Sequence, residues 1–84
     1  MRRGDIVTVA APGDYGKPRP AVVVQADALT EAGIQSVVVC LLSSQVAEAP
    51  AFRITVAAGK SSGLEHVSQI MVDKILAVPI IRVW

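Results

Sequence analysis

Short apolar runs recur along the chain, mostly valine and isoleucine, with polar or turn-forming residues between them. Asp5–Ala10 (DIVTVA), Ala21–Gln25 (AVVVQ) and Gln35–Leu42 (QSVVVCLL) come first. Phe52–Val56 (FRITV), His66–Val72 (HVSQIMV) and Ile75–Val83 (ILAVPIIRV) follow. The breaks are rich in Gly, Pro, Ser and Asp: APGDYGKP, EAG, EAP, AAGKSSG and DK. Branched side chains suit a pleated surface, and this spacing predicts strands joined by turns, hence a mainly β barrel or sandwich. In FRITV, Phe52, Ile54 and Val56 share one face and Arg53 and Thr55 the other. The near-continuous run Val37–Leu42 predicts a strand covered on both faces. Asp73-Lys74 reads as a hairpin turn, and AAGKSSG as a mobile loop without the glycine–lysine spacing of a phosphate-binding loop. Only Ala26–Gly33 has room for a helical turn. Pro79, which has no N–H to give a ladder, predicts an edge position or a bulge. No internal repeat or low-complexity segment interrupts the pattern.

Composition narrows the class. At 84 residues the chain is one small domain, a size that is marginal without a staple or a partner. Cys40 is the lone cysteine, so no intrachain disulfide can form, and its apolar setting predicts a buried thiol. No CxxC or histidine cluster suggests a metal, so neither metal nor cofactor is expected. Apolar residues make up 52% of the chain and charged ones 18%, an excess that points to an interface with a copy of itself or with another protein. Net charge is +1, so any nucleic-acid binding must rest on a local patch. Arg2, Arg3, Lys17 and Arg19 are the expected patch. The apolar runs are too short for a transmembrane helix, and MRRGDIV lacks the apolar core of a signal peptide; a cytoplasmic location is expected. The chain stops at Trp84 directly after an apolar run, which suggests a truncated C-terminus or a missing helix.

The order of several motifs resembles the MazF/PemK family, the toxin halves of toxin–antitoxin pairs. RRGDIV (Arg2–Val7), KPRPAVVVQ (Lys17–Gln25), CLLSSQ (Cys40–Gln45), FRITV, SGL, and SQIMVDKI through VP match in order and spacing over nearly the whole chain. The resemblance implies a small SH3-like β-barrel that forms a homodimer, with the family's C-terminal helix absent from this sequence. It also implies a growth-inhibiting, metal-independent endoribonuclease that cuts single-stranded RNA at short sequences. A cognate antitoxin would hold it inactive, and DNA would be met only through that antitoxin.

Metal-free RNA cleavage must take a proton from the ribose 2′-hydroxyl, stabilise extra negative charge on phosphorus, and protonate the leaving 5′-oxygen. Arg19 lies between Pro18 and Pro20, which restrict its backbone, and a guanidinium matches two phosphate oxygens. On spacing alone it reads as an ordinary exposed arginine. The resemblance makes it the catalytic candidate, best suited to charge stabilisation because arginine parts with a proton so reluctantly. Ser43 matches the family's hydroxyl position, usually threonine, at the end of an apolar strand. Serine keeps the donor and loosens the rotamer. Ser44 would face the opposite way if the strand persisted.

The expected RNA contacts are Asp14, Tyr15, Lys17, Ser44, Gln45 and Gln69. Tyr15 could stack on an unpaired base and Lys17 could steer phosphate. Gln45 and Gln69 could read base edges, and a structural hydrogen bond is an equal reading for Gln69. His66 is the obvious proton carrier by chemistry, yet its position at a strand start reads as exposed and idle, so it is left outside the site. No residue is clearly placed to take the first proton. The competing reading is a catalytically silent barrel of the same kind that acts by docking on a protein, as gyrase-poisoning toxins do.

Overall fold

The computed structural model describes residues 1–10, 17–49 and 51–84. Five antiparallel strands form one sheet in the order β1-β2-β3-β5-β4. They are β1 (Ile6–Ala10), β2 (Pro18–Val23), β3 (Ser36–Ser43), β4 (Arg53–Val56) and β5 (Ser68–Pro79). The mainly β expectation is met. A helical turn, α1 (Asp27–Glu31), falls inside the expected segment, and a 3-10 turn covers Ile80–Arg82.

β3 lies in the middle of the sheet, with β2 on one side and β5 on the other. Its alternate residues feed two cores. Val37 and Val39 join Val9, Ala21, Val23 and Val78 on one face. Cys40 and Leu42 join Val22 on the other, with Ile6, Leu64 and Ile70 packed against them. This is the strand covered on both faces that its unbroken apolar run predicts. Each fully buried aliphatic side chain here contributes about 1.5–3 kcal/mol of transfer free energy. Burial also pushes the Cys40 thiol up, since the charged thiolate would lose its water.

The sheet curls toward closure through the chain's last residues. After Pro79 the 3-10 turn redirects the backbone, and Val83 bridges Val9. The Thr8 N–H donates to the Trp84 carbonyl at 2.7 Å, and the Trp84 N–H returns the bond to Thr8 at 2.8 Å. The outer edge of β1 is thereby paired, which removes one of the two edges an open sheet presents. Pro79 is the last residue of β5, opposite Ser36. Its missing N–H therefore costs the ladder little.

The structure corrects the reading of Asp73-Lys74. A hairpin there would have sent the chain back along itself. Instead β5 runs through both residues, because β3 is long enough to take both halves of it. Cys40 pairs with Ile75 and Leu42 with Ile70, so Leu41 alone faces four β5 residues, Met71 to Lys74. The excess is absorbed as a wide bulge, which bends the strand and re-aims its side chains. Met71 still pairs with Arg53 of β4.

AAGKSSG is tied to itself. The Ser62 hydroxyl donates to the Ala57 carbonyl at 2.8 Å, and the Gly59 N–H to the Leu64 carbonyl at 3.1 Å. Gly63 turns the chain at φ 73°, a left-handed conformation that glycine adopts without strain, and its N–H donates to Gly59 at 2.8 Å. The segment then plants Leu64 against the second core.

Leu42 is 1% exposed and belongs to that core. Leu42→Ala should lower stability by about 2–5 kcal/mol, read as a fall in the urea midpoint at unchanged slope.

Candidate functional site

One face of the sheet changes character toward one end. Along β2 the inward-facing row runs Val23, Ala21, Arg19, and along β3 it runs Val37, Val39, Leu41, Ser43. β2 and β3 pair with Ala21 opposite Leu41. The same register carried one step along that face brings Arg19 level with Ser43. Ser43 in turn lies opposite Gln69 of β5, and Gln69 opposite Thr55 of β4. Four neighbouring strands therefore end in a polar row, Arg19–Ser43–Gln69–Thr55, where the apolar rows leave the core.

Two open cavities meet on this row. One, ≈ 630 Å³, is lined by Arg19, Ser43, Gln45, Arg53, Met71 and Lys74, among others. The second, ≈ 670 Å³, takes in Lys17, Arg19, Ser43, Ser44, Gln45 and His66. Arg19, Ser43 and Gln45 belong to both, so they form the ridge between them. The structure thus brings the expected catalytic pair together at one place.

The other expected contacts divide. Lys17 and Ser44 line the second cavity. β3 ends at Ser43, so strand alternation no longer applies to Ser44, and the two serines share a cavity instead of facing apart. The Gln45 N–H donates to the Ser43 Oγ at 3.1 Å, which leaves the hydroxyl proton available to a ligand. Asp14 and Tyr15 lie outside the described residues.

Gln69 takes the structural one of its two readings. It is buried, its Oε1 accepts from the Ala47 N–H at 2.9 Å, and its Nε2 donates to the Ala47 carbonyl at 3.0 Å. It also reaches Thr55 Oγ1 at 3.4 Å. The amide clamps the segment after Ser43 and so fixes where Gln45 and Val46 stand.

The basic patch differs from the expected one. Gly4 donates to the Val23 carbonyl, so Arg2 and Arg3 sit at the far end of β2 from Arg19. Four residues of extended chain, about 13 Å, part them. Both are held by Asp27, whose carboxylate accepts from the Arg3 N–H at 2.7 Å and pairs with the Arg2 guanidinium at 3.4 Å. The cations that accompany Arg19 are Lys17 on one side and Arg53 and Lys74 on the other. Arg53 comes from the polar face of β4, and Lys74 is delivered by the β5 bulge. The alternation of FRITV was the available signal for Arg53. Nothing local marks Lys74, because its place depends on a register shift.

The apolar face of FRITV points away from this groove. Ile54 pairs with Ile70, and the same register puts Phe52 beside Val72, whose N–H donates to the Phe52 carbonyl at 3.0 Å. Phe52, Ile54 and Val72 are exposed.

Among the described residues, no three of His, Cys, Asp and Glu cluster as a metal site, and no helix is long and apolar enough to cross a membrane.

The family model described as PemK-like, MazF-like toxin of type II toxin-antitoxin system matches residues 2–83. The chain belongs to that family. It is 42% identical over 80 residues to a protein of Mycolicibacterium smegmatis named "Probable endoribonuclease MazF", a match covering 94% of this chain and 72% of the relative. In this member of the PemK/MazF family, the ridge residues stand at strand ends placed by sheet pairing. Arg19 is set by the pairing of β2 with β1, opposite Val9, and Ser43 by the pairing of β3 with β5.

Proposed function

We propose that the chain is the toxin of a type II toxin–antitoxin pair and a metal-independent, sequence-specific endoribonuclease acting on single-stranded mRNA. The observation that carries this reading is the Arg19–Ser43 ridge between two open, cation-bearing cavities. An extended RNA strand crosses the ridge with the scissile phosphate on it. Flanking phosphates meet Lys17 on one side and Arg53 and Lys74 on the other.

The ribose 2′-hydroxyl attacks the adjacent phosphate, the O2′–P bond forms, and the P–O5′ bond breaks to leave a cyclic 2′,3′-phosphate. Arg19 donates two parallel N–H bonds to the phosphorane oxygens as their charge grows. Ser43 donates its hydroxyl proton to the same group. Gln45 offers amide donors and acceptors to a neighbouring base, and Ser44 a hydroxyl. Asp14 and Tyr15 belong to the same recognition surface in this reading, with Tyr15 stacking on an unpaired base.

The protein works in the cytoplasm as a homodimer. Phe52, Ile54 and Val72 on one face of β4–β5 supply an apolar patch for the partner copy, and the small core of a single chain gains from covering it. The cognate antitoxin lays an acidic tail into the groove that RNA would use, attracted by the same cations. DNA is reached only through the antitoxin.

The deciding assay mixes the protein with a long single-stranded RNA in excess chelator. Cleavage is expected, with cyclic 2′,3′-phosphate ends, and Arg19→Ala should lower it by about 10²- to 10³-fold. RNA with a 2′-deoxy residue at the cut site should be inert; cutting it would contradict 2′-hydroxyl attack. Sedimentation should give twice the chain mass, and Phe52→Asp should return it to the single-chain value; an unchanged mass would place the dimer contact elsewhere. Antitoxin tail peptide and RNA should exclude each other in a fluorescence competition. Simultaneous binding without mutual weakening would separate their sites.

A further inference from the structure

We infer that His66 is the proton acceptor for the attacking 2′-hydroxyl. This deepens the endoribonuclease reading and rests on it.

The argument begins with how His66 is held. Two residues before it, Leu64 is packed against the core of Val22, Cys40 and Leu42. Two residues after it, Ser68 is buried at the start of β5, and its hydroxyl donates to the His66 carbonyl at 3.0 Å. The preceding turn is closed by its own hydrogen bonds between Gly59 and Leu64. The histidine backbone therefore spans a short interval between two fixed points, and its placement costs little entropy when a substrate arrives.

Its place is the second consideration. His66 lines the same cavity as Arg19 and Ser43. The charged groups facing it there are Lys17 and Arg19 from β2 and its flank, and Glu65 on its own segment. Ser43 and Ser44 meet it from the end of β3. A phosphate on the ridge would lie in the cavity that His66 lines, with the attacking 2′-hydroxyl in the same space.

Chemistry is the third. Arginine is a poor proton acceptor, and a serine hydroxyl needs a base of its own. His66 is the chain's one histidine, the side chain suited to carrying a proton near neutral pH. The neutral imidazole takes the 2′-hydroxyl proton as the O2′–P bond forms. The leaving 5′-oxygen takes a proton from water, which the open cavity admits. The imidazolium then returns its proton to solvent, so protons and electrons balance.

The test uses the full chain and a short RNA spanning its preferred cut site. His66→Gln should lower kcat by about 10²-fold with KM little changed, and should remove the rising limb of the wild-type pH profile. Imidazole in the buffer should restore part of the activity of His66→Ala. A substrate whose leaving 5′-oxygen is replaced by sulfur needs no protonation on departure, and it should not rescue His66→Gln. Rescue by that sulfur would make His66 the acid and overturn the assignment. So would a rising limb retained in His66→Gln with kcat within about threefold of wild type. Wild-type protein that leaves RNA intact would sink the endoribonuclease reading itself; loss of cutting in Arg19→Ala with His66→Gln fully active would sink only this inference.

Discussion

The double covering of β3 is the constraint on which the rest depends. Val37 and Val39 enter one core while Cys40 and Leu42 enter the other, so this strand cannot slip by one residue without exchanging both sets. Its two neighbours are registered against it, β2 through Ala21 and Leu41, β5 through Leu42 and Ile70. What appears at the strand ends is then determined by counting outward. Ser43, Gln69 and Thr55 stand in line through the β3–β5 and β5–β4 pairings, the β2–β3 register carried one step brings Arg19 level with them, and Gln69 also bonds Thr55.

Much of this was legible in the sequence. The unbroken apolar run of β3 announced a strand covered on both faces, whereas the prolines around Arg19, read as a loop before a strand at Ala21, lie within β2 and pair with β1. The first is a local signal, and local signals survive folding when the core reinforces them. What could not be read were the consequences of pairing. Asp73-Lys74 has the composition of a turn, yet the length of β3 decided that the chain should run on. Arg2, Arg3 and Lys17 add to one count of positive charges in the sequence, but the antiparallel pairing of β1 with β2 puts them at opposite ends of β2. His66 looked idle because its neighbours in sequence say nothing about Arg19, which the sheet brings to the same cavity.

The site also divides between groups that hold its walls and groups left facing the groove. Gln69 spends its amide on the backbone of Ala47, and Ser68 its hydroxyl on the carbonyl of His66. Gln69 has a further bond to Thr55, and Ser68 lines the second cavity beside His66. Both keep the walls of the groove at fixed distance from the ridge, which suits an enzyme that must stabilise charge with donors already in position. Exposed cations line the groove and buried amides set its shape, so ionic strength acts on the first and leaves the second largely untouched.

The bulge in β5 has a further consequence. Val72 and Asp73 lie between the two registered halves of the strand and take no part in the pairing of either half with β3. A residue gained or lost there would change how far Lys74 reaches toward Arg53, while Ser43 stayed opposite Gln69 and Ser36 opposite Pro79. The groove's charge can thus be retuned by changes in chain length that the folding core does not register.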